Sequence, residues 1–412
     1  MNKAYSQTKQ NWSSRDQRHA EVDQLCVRSA ARRTNFARLP PICLCMIVRD
    51  EAPVIARCLR SVLRFISHWA IVDTGSLDET PDIVNAMLGD LPGRLIKTSW
   101  MGDFAKHRNE SVSLARNVVG SVEASLLFID ADETLIVKKF SEFCRAICNS
   151  PVISWWVVDG DWRFRKLGIV HVQHVGEWSG SVHEFLDLRS SRNFSHVQSF
   201  AELSYGHDGF RRLQTNTFQH DESALKAKLA DEEHSYRTSF FLARTYEVTE
   251  SYELAAWYFR LAVGLSGRSR ECRWQAQWGL GRSLSHFDQG AAALAFVTAH
   301  RIAPLRAEAL VELAAVARHQ AQHAEAMALA KAAINCPEPT ATSMYDKAAY
   351  GWKAVDELCL ASFALSDADG MKIASNQYKT ILSEGQVPDN QRRRVTKNLH
   401  LLLSVRPDEH SE

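Results

Sequence analysis

The chain has 412 residues, room for two or three domains at about 150 residues each, and its 45% hydrophobic and 24% charged content is that of an ordinary globular protein. A net charge of +1 speaks against an anionic membrane or nucleic acid as the main partner, although a local basic patch would suffice for the latter. No apolar run reaches the ~18–20 residues of a transmembrane segment, and nine scattered cysteines without a CxxC pair fit a reducing, cytoplasmic setting.

Residues 1–38 are polar, carry arginines at 28, 32, 33 and 38, and lack a signal-peptide pattern; they read as a mobile N-terminal arm. An α/β domain is expected over 39–225. Residues 42–48 form a continuous apolar run, hence a buried strand, in which Cys43 and Cys45 read as core. A helix follows over 53–65, with Pro53 in its first turn. Residues 69–72 read as a strand, Thr80-Pro81-Asp82 as the start of a helix through 83–88, and 95–98 as a third strand. A helix over 104–119 and a strand over 125–129 complete the series. Such repeated units predict a Rossmann-like, mostly parallel sheet with helices on both faces. Residues 151–215 contain short aromatic β-rich segments at 155–158, 162–164, 170–175 and 185–188, expected as an irregular layer over the crevice. From 230 to 405 the pattern is purely helical. Leu242, Leu280 and Leu313 lie 38 and 33 residues apart, close to the ~34-residue period of helical-hairpin repeats.

Polar residues collect where the strands end: Arg49-Asp50-Glu51, Asp73-Thr74-Gly75-Ser76, Asp103, and Asp130-Ala131-Asp132-Glu133. In open α/β sheets, ligands bind outside the carboxyl ends of the strands, so these clusters should face one crevice. Asp78 or Asp82 taken singly reads as a helix cap. Asp130 and Asp132 repel each other unless a positive charge intervenes, and a hard divalent cation such as Mg²⁺ or Mn²⁺ is the usual candidate.

Four motifs occur in order: Cys45-Met46-Ile47-Val48-Arg49-Asp50-Glu51, Val72-Asp73-Thr74-Gly75-Ser76-Leu77-Asp78-Glu79-Thr80, Trp100-Met101-Gly102-Asp103-Phe104-Ala105-Lys106-His107-Arg108-Asn109 and Ile129-Asp130-Ala131-Asp132-Glu133. Together they resemble the family 2 glycosyltransferases of GT-A fold, in the subgroup with a tetratricopeptide-like (TPR-like) C-terminus. The resemblance covers residues 40–335 and, more loosely, extends to 365. Two places depart from it: Asp50 stands where the subgroup usually has asparagine, and Lys106-His107 precede Arg108 where small residues are common.

The resemblance implies a metal-dependent, inverting, hexosyltransferase-type enzyme. It would move a sugar from a nucleotide-sugar donor, a UDP-sugar first, to a hydroxyl of a glycan or protein, with Mn²⁺ or Mg²⁺ as cofactor. Asp132 would be the direct metal ligand, and Asp130 would face the ribose or reach the metal through water. His207 would be the third ligand or a diphosphate contact, with His183 competing for that role. Asp73 and Asp103 would hold base and ribose, beside Arg49 and Asp50 in the donor pocket. Arg108 would offset phosphate charge, or else pair with Asp103 or Glu110. Glu184 would be the catalytic base, or else pair with Arg163 or Arg165, and Glu133 is a second candidate carboxylate. Trp178 could stack on a sugar face. The repeats would offer a concave surface to an acceptor or protein partner. Two rival readings are a nucleotidyltransferase that makes activated sugars and a scaffold with an inert first domain. The first needs a glycine-rich loop where Arg49-Asp50-Glu51-Ala52-Pro53 stands; the second has no need of the Asp130/Asp132 pair.

Overall fold

The computed structural model describes residues 39–404 apart from 121–122, 190–193, 197–199, 232–234, 268 and 341; the expected arm of residues 1–38 lies outside the described residues. The first half alternates β1 (Ile42–Val48), α1 (Ile55–Val62), β2 (His68–Asp73), α2 (Thr80–Leu88), β3 (Gly93–Lys97), α3 (Phe104–Val119) and β4 (Ser125–Phe128). β1 pairs in parallel with both β2 and β4, and β2 with β3. Alternation along β1 builds two cores. Ile42, Leu44, Met46 and Val48 pack with Ile55, Leu59 and Val62 of α1, whereas the smaller Cys43 and Cys45 face Val112 and Ala115 of α3. Both cysteines are fully buried, and burial pushes the Cys45 thiol up to about 12.

Beyond β4 come β5 (Glu133–Val137), α4 (Phe140–Asn149), β6 (Val152–Asp159), β7 (Trp162–His171), β8 (Val175–Ser179), β9 (Phe185–Leu188), β10 (Phe194–His196), β11 (Ala201–Tyr205) and α5 (Thr217–Asp231). The sheet order is β3-β2-β1-β4-β7-β6-β11-β5, with β10 on β6. Its second half is mixed, because β7 runs antiparallel to both β4 and β6, and β5 antiparallel to β11. The irregular covering layer expected over 151–215 is therefore corrected. β6 and β7 belong to the main sheet because Val152, Ile153, Trp155 and Val157 are buried in its two cores. Only β8 and β9 form a separate ribbon. Gly168 is the extra residue of a bulge in β7. A Cβ there would come within 2.1 Å of the Trp155 ring, so the bulge clears room for that indole.

The second half is a helical array: α6 (Tyr236–Val248), α7 (Tyr252–Leu265), α8 (Arg270–Leu284), α9 (Gln289–Ile302), α10 (Ala307–His319), α11 (His323–Ile334), then β12 (Met344–Asp346), α12 (Trp352–Leu365), α13 (Ala368–Ser383) and α14 (Asp389–Ser404). Successive helices pack as hairpins. Gly279 and Gly281 let α8 approach its neighbours, since a Cβ at either would lie 2.5 Å from the ring of Phe259 or Phe296.

The array is tied into the sheet. β7 is ten residues long; its C-terminal half pairs with β4 and its N-terminal half with β12, Met344 standing opposite Phe164 and Asp346 opposite Trp162. Trp162 lies 5.5 Å from Trp278 of α8, and Val182, Phe104 and Trp162 all pack into the apolar core of the array. No helix among the described residues is long and apolar enough to cross a membrane.

Candidate active site

The carboxyl ends of β1, β2 and β4 meet at one edge of the sheet. At β1, Asp50 adopts a left-handed backbone conformation (φ 52°), which aspartate and asparagine tolerate better than most residues. Its Oδ1 accepts from Leu77 N at 2.7 Å, and its own N–H donates to Ser76 Oγ at 3.0 Å. Asp50 thus ties the loop after β1 to the loop after β2. Arg49 Nε sits 3.7 Å from Asp50 Oδ2, and its guanidinium lies 5.8 Å from the Phe210 ring. At β2, Asp73 is fully buried; Oδ1 accepts from Gly75 and Ser76 N–H groups, while Oδ2 has no partner among the described residues. Asp78 ties both helix starts, accepting from Thr80 N through Oδ1 and from Ala52 N through Oδ2, each at 3.0 Å.

Asp103 caps α3 by accepting from Lys106 N at 3.0 Å. With Lys106, Asn109, Trp178 and Lys228 it lines a cleft of about 690 Å³ that none of Asp130, Asp132 and Glu184 lines. The bulky pair before Arg108 has a local reason. His107 is fully buried, accepts from Met101 N through Nε2, bonds Glu110 through Nδ1 at 2.8 Å and stacks on Trp100 at 5.2 Å.

Arg108 is the hub. Its Nη2 donates to Asp130 Oδ1 at 2.8 Å and its Nε to Glu184 Oε1 at 2.5 Å, with the guanidinium 5.0 Å from the Trp178 ring. The pairings with Asp103 or Glu110 and of Glu184 with Arg163 or Arg165 are replaced by this single bridge. Burial pushes the Glu184 carboxyl up, but Arg108 outweighs it and leaves the group below its ordinary value, hence ionised at neutral pH.

Lys166, on β7, did not stand out in the sequence. Its Nζ donates to Asp130 Oδ2 at 2.5 Å and to Glu133 Oε2 at 2.7 Å, and Glu133 also accepts from Asp130 N–H at 2.8 Å. The positive charge that the acidic strand end calls for is therefore supplied at Asp130 by Lys166 and Arg108. Burial raises Asp130, yet these two cations overcome it and hold the carboxyl far below its usual range. Burial, Lys166 notwithstanding, lifts Glu133 to about 6.

Asp132 differs. No ion pair among the described residues reaches its carboxylate; Arg57 Nη2 contacts only its carbonyl oxygen, at 3.2 Å, and spends its fork on Asp208. Burial first, then Asp130, push its carboxyl up. Glu51, which accepts from Phe210 N, is lifted by burial to about 7, with Asp132 adding to the push. The segment Gly206-His207-Asp208-Gly209 wraps this turn closely: a Cβ on Gly206 would lie 2.5 Å from Asp132 O, and one on Gly209 3.0 Å from Asp132 Oδ2. His207 itself turns away, its Nε2 2.6 Å from Asp159 Oδ1. The expected trio Asp130, Asp132 and His207 does not assemble: among the described residues no group of three or more histidine, cysteine or acidic side chains is placed to hold a metal ion. Asp132 is an oxygen donor with no ion-pair partner among the described residues, the kind of group a hard divalent cation takes. Such ions are commonly held by one or two carboxylates plus substrate phosphates.

Residues 43–200 match the model of glycosyl transferase family 2. The chain is 37% identical over 122 residues to a TPR repeat-containing protein of Synechococcus elongatus, covering 30% of this chain and 28% of that one. It is 26% identical over 208 residues to the SPbeta prophage-derived glycosyltransferase SunS of Bacillus subtilis, covering 48% and 46%. The matches span less than half the length of these relatives. Among solved structures, that of MamA overlaps 46% of this chain and 88% of its own at 17% identity, with a TM-score of 0.30.

Proposed function

We propose that the chain transfers a sugar from a nucleotide-sugar donor to an acceptor hydroxyl, with inversion at the anomeric carbon, a reading supported by the match of residues 43–200 to the model of glycosyl transferase family 2. The observation that carries this reading is the Arg108 bridge between Asp130 and Glu184, close along the chain to an Asp132 that has no ion pair among the described residues. In this reading Glu184 is the proton acceptor beside the fixed cation Arg108, and Asp132, next but one to Asp130 along the chain, is the cation seat.

Each group has a role its surroundings suit. The unpartnered Oδ2 of Asp73 can accept from the base or ribose of the donor. Asp130, saturated by two cations, orients Arg108 and Lys166. Glu184, ionised and held through Oε1 by Arg108, takes the proton of the acceptor hydroxyl as its oxygen bonds to the anomeric carbon. The bond from that carbon to the phosphate oxygen breaks on the opposite face, and the electron pair leaves with the nucleoside diphosphate. Mn²⁺ or Mg²⁺ seated on Asp132 would stabilise the charge of that leaving group. A glycan or protein is the acceptor class, and UDP-sugars are the first donors to try.

Calorimetric titration of UDP with and without Mn²⁺ tests the seat. Mn²⁺ should tighten UDP binding to the wild type, and Asp132→Asn should lose the tightening while keeping metal-free binding. Equal tightening in the variant contradicts the assignment of Asp132.

A further inference from the structure

Glu184 sits in a turn whose backbone is costly to hold. Gly180 (φ 99°) and His183 (φ 50°) are both left-handed, and a non-glycine residue there persists only where its surroundings enforce it. The enforcing contacts come from α6, the first helix of the array. Arg237 donates to His183 O through Nη2 at 2.6 Å and Nε at 3.3 Å. The Phe241 ring stacks on His183 at 4.1 Å, with the planes 6° apart. The Arg237 guanidinium also lies 4.8 Å from the Phe185 ring, on the far side of Glu184. Val182 is buried in the apolar core of the array with Phe240 and Leu242. One further tie comes from α3, where Phe104 N donates to Ser181 O at 3.0 Å.

So 182, 183 and 185 are all contacted from the helical array, while the Glu184 carboxylate between them is held by Arg108 of α3. We propose that α6 is part of the active site, with Arg237 and Phe241 as positioning residues that hold the 182–185 turn so that Glu184 faces the crevice. The catalytic half of this proposal rests on the reading of Glu184 as the base. The array then does more than present a surface: it completes the geometry of the reacting carboxylate, and anything that shifts α6 changes the rate.

The test compares Arg237→Met, Arg237→Lys and Phe241→Leu with the wild type. Amide hydrogen exchange over 180–186 is measured alongside release of UDP from UDP-glucose with Mn²⁺. Exchange over 180–186 should quicken in Arg237→Met and Phe241→Leu while the rest of the sheet keeps its protection. The kcat should fall about 10- to 100-fold with donor KM nearly unchanged, the mark of a misplaced group rather than lost binding. Arg237→Lys should recover part of the rate, and Arg237→Met should cost nothing further in a Glu184→Gln background. Wild-type exchange in Arg237→Met overturns the clamp. A full extra loss in the Glu184→Gln background also overturns it, since Arg237 would then act apart from Glu184. Glu184→Gln at the wild-type rate overturns the reading of Glu184 as base and leaves the exchange result to judge the clamp.

Discussion

At Asp130 two cations meet one carboxylate. Lys166 and Arg108 occupy its two oxygens, and Lys166 reaches on to Glu133, whose side chain is almost wholly buried. Removing one partner of such a group leaves an uncompensated charge, which costs more than the pair gains by forming. Lys166→Met should therefore lower unfolding stability by about 2–3 kcal/mol, a value reduced for the partial exposure of Asp130. Adding Glu133→Gln should recover part of that loss. Urea denaturation of the three proteins measures both; a Lys166→Met loss under about 0.5 kcal/mol would show that the acidic cluster does not depend on Lys166. The sequence displayed the carboxylates because they adjoin one another along the chain. It hid Lys166, which lies in another strand beside Arg163 and Arg165 and is singled out only by antiparallel pairing. The same limit explains Arg108: its charge was legible as a phosphate contact, but its bridge to Glu184 spans 76 residues of chain.

Between elements, the contact of α6 with the 182–185 turn carries a pH signature. Burial first, then Arg211, Arg237 and Arg244 against the opposing pull of Glu184, lower His183 from 6.5 to about 4. From pH 6.5 down to about 4 the unfolded chain takes up a proton that the folded chain refuses, so stability falls as pH drops through that window. His183→Phe keeps a ring over Phe241 and removes the titration. Its melting temperature should fall less than that of the wild type between pH 7 and pH 5; equal falls would mean that His183 is not held neutral. The unbroken apolar run over 42–48 makes its strand legible, and so does the largely apolar 185–188, interrupted only by Asp187. β5 and α4 were not: the Asp130–Asp132 turn masks the start of β5, and only Phe143 and Ile147 of α4 are buried. β6 and β7 were seen as β-rich, but aromatic and basic residues disguised them as a covering layer.

Across the whole molecule, the helical array and the sheet share structure. β12 extends the edge of β7, the strand that carries Lys166, and α6 grips the turn that carries Glu184. The change of pattern near residue 230 was plain from periodicity, whereas the three-residue strand that returns to the sheet was not, since so short a segment has no periodic signal. Two charges of one network, Lys166 and Glu184, thus sit on segments that also make contacts beyond the α/β domain. The central claim is that this crevice releases a nucleoside diphosphate from a nucleotide sugar with Glu184 as base. A panel of nucleotide sugars with Mn²⁺, read by nucleoside diphosphate release from the wild type and Glu184→Gln, tests it most directly. The account predicts release from at least one donor and a loss of about 10²- to 10⁴-fold in Glu184→Gln; no release from any donor, or an unchanged rate in the variant, would contradict it.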